Sequence, residues 1–117
     1  MNRSNLFGIW FSEELDSIPN YNSNFTNWVD CIPRKGKIKL TVFILEFLRY
    51  VGSLEVPVNH VGGGPGYFPL RSGDIGILED KIIILVVNSR FIIPYEWIDE
   101  KTIRTFIFDR EIVFIRE

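Results

Sequence analysis

From Gly73 to Glu117 the chain runs through five short apolar segments rich in β-branched and aromatic residues: DIGIL, KIIILVVN, RFIIP, TIRTFIFD and EIVFIRE. The breaks between them are ED, NS, a proline-containing segment and DR. Brief polar breaks between β-rich runs are hairpin signals, because two residues suffice to turn one antiparallel strand into the next. A series of hairpins has few ways to fold. It forms an antiparallel meander, and the meander buries one face against another sheet or against itself. LFGIWF, residues 6–11, reads as a further strand near the N-terminus. The expected fold is a single all-β domain over 1–117, mainly antiparallel, either a β-sandwich or a partly open barrel with at most one short helix.

Composition agrees. The chain has no alanine and no glutamine, while isoleucine and phenylalanine are abundant. Alanine is the best helix former, and β-branched and aromatic residues favour strands. Two stretches read less simply. In KGKIKLTVFILEFLRYVGS, Ile38, Leu40 and Val42 alternate with polar residues as in a strand. Leu40, Phe43, Ile44, Phe47, Leu48 and Val51 also fit helical spacing, so 40–51 stays open between the two. Strand is preferred there, with Gly52-Ser53 as a hairpin turn. Ser12 to Arg34 reads as a long polar loop, within which NSNFTNWVDC has the pattern of one or two helical turns. PYEWIDEK reads as a single helical turn opened by proline.

NHVGGGPGYFPLRSGD, residues 59–74, contains the only histidine, His60, and a run of glycines. A phosphate cradle needs glycines followed by a helix N-terminus, and YFPLRSGD supplies no helix. The stretch reads as a surface loop in which glycine provides positive φ and Pro65 stiffens a turn. The single cysteine, Cys31, forms no internal disulfide and fits a reducing, cytoplasmic compartment. The start of the chain is too quickly acidic for a signal peptide, and no run has the length of a membrane span. One His and one Cys make no metal-ligand set, and no cofactor motif is present. A small-enzyme reading rests on a Cys31–His60 dyad, and no further residue supports it. A net charge of −2 argues against direct nucleic-acid binding, which calls for a concentrated basic face.

What remains is binding to protein. Acids cluster with aromatics in two segments: Glu13, Glu14, Asp16, Tyr21 and Asp30 in the long polar stretch, and Tyr95, Glu96, Asp99 and Glu100 in PYEWIDEK. Rings that bury and charges that steer are the ingredients of an interface. In length, slight acidity, AT-rich residue usage and lack of a catalytic set, the chain resembles the small bacterial immunity proteins of contact-dependent growth inhibition. That resemblance implies stoichiometric blockade of a cognate toxin, with a basic nuclease domain as the partner. A second resemblance, over SGDIGILEDKIIILVVNSRFIIPYEWID, is to SH3-like small barrels. The aromatic cluster of peptide-binding SH3 domains is not at matching positions, so the likeness carries over no ligand. The alternative of a small barrel module binding peptide or nucleic acid calls for a basic or aromatic stripe, for which Arg34, Lys35, Lys37 and Lys39 are the available cations.

Overall fold

The computed structural model describes residues 6–15, 31–45, 49–60, 62–86 and 88–117, and for 31–33 the backbone alone. Nine strands follow in order: β1 (Gly8–Leu15), β2 (Cys31–Pro33), β3 (Gly36–Ile44), β4 (Tyr50–His60), β5 (Gly64–Ile77), β6 (Lys81–Val86), β7 (Ser89–Asp99), β8 (Thr102–Ile107) and β9 (Arg110–Arg116). All pairings are antiparallel, and there is no α-helix among the described residues. β2 continues the line of β3 along the same side of β4, with the Arg34 amide donating to Pro57 O at 3.2 Å across the corner between them. Counted as one strand, they leave a ring of eight in which β4 pairs with β5 and β9 pairs back onto β1. Trp10↔Arg116, Phe11↔Ile115 and Ser12↔Phe114 make that last seam. The architecture is a closed up-and-down barrel, and closure leaves no free edge around the ring itself.

The alternation of side chains explains why the barrel holds. Ile38, Leu40 and Val42 on β3, Leu54, Val56 and Val58 on β4, Ile82 and Ile84 on β6, and Ile112 and Phe114 on β9 are all almost fully buried. They alternate with outward residues, as the two-residue period of a strand requires. An eight-stranded ring is narrow enough for its own side chains to fill. Trp10 lies in this core, its indole Nε1 donating to Leu6 O at 2.8 Å and its ring meeting Trp97 edge-on at 6.0 Å. Isoleucine dominates the packing, which accounts for the isoleucine-rich, alanine-free composition.

Several sequence expectations are corrected here. Of residues 40–51, 40–44 lie in β3 and 50–51 in β4, with 46–48 outside the described residues; Gly52 and Ser53 lie inside β4 and are not a turn. PYEWIDEK is not helical: β7 runs without interruption through Asp99, and the turn follows at Glu100 and Lys101. The SH3-like likeness fails at the same place, since the Pro94–Tyr95 segment that it takes for an interrupting turn is continuous strand. The polar stretch is shorter than expected, because Ser12–Leu15 belong to β1 and Cys31–Pro33 form β2. NSNFTNWVDC lies almost wholly outside the described residues. The glycine run is mostly strand: β5 starts at Gly64, and Gly62 and Gly63 turn ahead of it. Gly62 and Gly64 take φ of +79° and +80°, the service expected of glycine there, while Pro65 pairs with Asn59 in the ladder.

Candidate protein-binding walls

The barrel interior is occupied by its own side chains, so the surfaces available to a partner are its outer walls. On β7, β8 and β9 the outward positions include Pro94, Glu96, Arg104, Phe106 and Glu111. Cross-strand register sets Glu96 beside Arg104 and Phe106 beside Glu111. The Arg104 guanidinium therefore lies between two carboxylates. It bonds Glu96 through Nη1 and Glu111 through Nε, the latter at 2.8 Å. One cation for two anions leaves the patch negative. These residues line a shallow depression floored in part by Phe106, whose side chain is 53% exposed. Exposed ion pairs of this kind contribute little to folding stability, so their value lies in the field they present.

The sequence-predicted residues divide. Glu96 is on this wall. Glu13 and Glu14 are exposed on β1, at the bulge where the register with β3 shifts between Phe11 and Glu14. Glu13 shares a second groove, between β1 and β9, with Phe11, Val113 and Ile115. Asp99 and Glu100 are exposed at the β7–β8 turn. There the Asp99 carboxylate accepts the Lys101 amide at 2.9 Å. That hydrogen bond, followed by one from the Thr102 side chain, holds the Asp99 carboxyl below the usual carboxylate range. Tyr95 does not face outward. It is 7% exposed, its hydroxyl donates to Leu78 O at 2.8 Å, and its ring packs edge-on to Trp97. Strand parity turns position 95 inward once PYEWIDEK is a strand, so Tyr95 joins the core while still lining the bottom of the depression. Asp16, Tyr21 and Asp30 lie outside the described residues.

A different cluster occupies the wall made by β1, β3, β4 and β5. Tyr67 lies with Lys39 Nζ 5.5 Å and the Arg34 guanidinium carbon 6.0 Å from its ring centroid, and the Phe11 ring is 6.4 Å away. Burial raises the Tyr67 phenol above its ordinary 10.0, with Arg34 pulling the other way and Glu55 adding to the rise. Arg34 is also a staple: its Nε, Nη1 and Nη2 donate to the carbonyls of Val58, Lys35 and Gly66. Sequence reading listed the cations but missed Tyr67 and Phe11 as their companions. The same reading missed Arg104, Phe106 and Glu111. Parity would have found these three, since Arg104 and Phe106 alternate with the inward Ile103, Thr105 and Ile107.

Comparison with protein-family models, with curated proteins and with solved structures finds no match to this chain. Function therefore has to be read from the walls.

The Cys31–His60 pairing has a structural counterpart in the backbone alone: the two residues are register partners between β2 and β4. Among the described residues no group of three His, Cys, Asp or Glu side chains is placed to hold a metal ion. The arrangement on both outer walls suits binding: apolar surface flanked by fixed charge.

Proposed function

We propose that this barrel is a protein-binding inhibitor of the immunity type, which blocks a cognate basic toxin by covering it with the β7–β9 wall. The observation that carries the reading is the half-exposed Phe106 beside Glu96 and Glu111, two carboxylates sharing the one Arg104 guanidinium. Such a patch offers an aromatic anchor with net negative charge around it, and a nuclease site built for phosphates offers the converse. Asp99 and Glu100 place two more carboxylates at the β7–β8 turn, whereas Glu13 and Glu14 lie on β1 beside Lys37, outside this wall.

The test takes a toxin-domain protein, where one is encoded beside this chain, mixes the two in defined ratios and assays activity; a chain with no such neighbour counts against the reading. The reading expects inhibition that saturates at equimolar protein, and inhibition weakened about tenfold or more in E96K/E111K through loss of desolvated charge pairs. Both positions are exposed, so the double variant should fold; unchanged melting confirms it. A folded double variant that inhibits like the wild type removes this wall from the interface.

A further inference from the structure

The β4–β5 hairpin, with the short β2 along the end of β4, extends beyond the ring as an arm. β4 and β5 pair from Val51↔Asp74 out to His60↔Gly64, whereas β3 accompanies β4 only as far as Glu55 and β6 pairs with β5 only over Ile75–Ile77. Tyr67 lies on one side of this arm with Lys39 and Arg34 against its ring and Phe11 beside it. Lys35 and Lys37 are exposed on the segment that leads from Arg34 into β3. Among the described residues three carboxylates oppose these four cations: Glu55, 3.9 Å from Lys39 Nζ, Glu14, opposite Lys37 in register, and Glu13, which lines a groove with Lys37. This side is therefore positive in a chain whose net charge is −2.

We propose that this side of the arm is a second interaction surface, which takes an acidic segment of a partner protein. It is distinct from the β7–β9 wall and opposite to it in charge. The partner meets the arm side-on, because the arm's edge is closed to strand addition. Pro57 O accepts the Arg34 amide and so points away from β5, which makes Pro57↔Tyr67 a pair without mutual hydrogen bonds. Pro65↔Asn59 and Pro69↔Glu55 fall at the same alternation, so the nitrogens of Pro65 and Pro69 face the outer edge of β5. Neither can donate, and an added strand would lack two of its donors. Nucleic acid fits this surface less well than protein. Bases need a free aromatic face, and the Tyr67 ring already carries two cations; phosphates favour a free guanidinium fork, and Arg34 has committed three of its N–H groups to carbonyls. The cations act as held point charges, suited to carboxylates at short range.

The experiment is an NMR titration of the isotope-labelled full chain at low salt, with a short poly-glutamate peptide and, separately, an oligothymidylate of equal charge. Poly-glutamate should shift amide resonances around Lys35–Lys39 and Gly66–Phe68, and high salt should abolish the shifts. K35E/K37E, or K35Q/K37Q if the reversal fails to fold, should weaken the association by at least about fivefold, as expected for loss of screened charge contacts. Absence of shifts at these residues, or wild-type affinity in the folded double variant, overturns the proposal. Tighter binding of oligothymidylate than of poly-glutamate also overturns it and hands the surface to nucleic acid.

Discussion

Gly52 and Gly73 face each other across the β4–β5 ladder. A Cβ on Gly52 would lie 2.4 Å from the Thr41 carbonyl oxygen, and one on Gly73 would lie 2.6 Å from that of Leu85. The obstacles are backbone atoms, which cannot swing aside as a side chain does. Glycine within a strand can mark a close approach of backbones, here of β4 to β3 at Gly52 and of β5 to β6 at Gly73. Gly52→Ala should therefore destabilise the barrel by about 2 kcal/mol or more, the scale of forcing excess volume into a packed site. Urea unfolding measures it, and an unchanged midpoint would mean that the ladder yields without cost. Gly52 also shows a limit of sequence reading. A glycine followed by serine between apolar runs has the composition of a turn, and only the cross-strand partner reveals that it serves packing. The β8–β9 turn was misplaced for a similar reason. Its loop residues are Phe108 and Asp109, at φ of 56° and 60°, where the polar pair Asp109-Arg110 was expected. A bulky residue at positive φ is strained, and Phe108 is held there while packing against the core.

Among the elements, the arm contrasts with the ring. Every ring strand is paired on both sides, but β5 from Gly64 to Ser72 has no strand on its outer side among the described residues. Long, flat edges invite pairing between molecules, and proline is one natural defence. Pro65→Thr with Pro69→Thr restores two donors and adds strand propensity, so the double variant should self-associate where the wild type does not. Light scattering over a concentration series reads this directly. A double variant with the wild-type mass at every concentration would show that something other than proline guards the edge. The hairpins after Gly73 were legible because turn chemistry and apolar alternation agree there. β7 was misread at its end because Pro94 at the head of an acidic, aromatic segment imitates a helix start. In fact Pro94 is an outward residue opposite Lys81. Strand parity then decides the fate of the whole candidate site: it turns Tyr95 into the core and leaves Glu96 on the wall.

At the scale of the molecule, all-β antiparallel architecture was legible from composition and the hairpin series, whereas closure was not. Joining β9 to β1 depends on strand tilt and stagger, which no local pattern encodes. Closure has a functional consequence, because it fills the interior and leaves the outer walls to carry charge. One wall sets Glu96 and Glu111 around Arg104 and Phe106; another sets Lys39 and Arg34 around Tyr67. The central claim is the proposal that the first of these walls meets a cognate toxin. Hydrogen exchange of the chain, alone and with the toxin-domain protein encoded beside it, tests that claim most directly. The account predicts added protection at residues 95, 96, 104–106 and 111, with the amides of β3 and β4 unchanged. Protection confined to the arm around Gly62–Phe68, or none on β7–β9 under conditions where the toxin is inhibited, would contradict it.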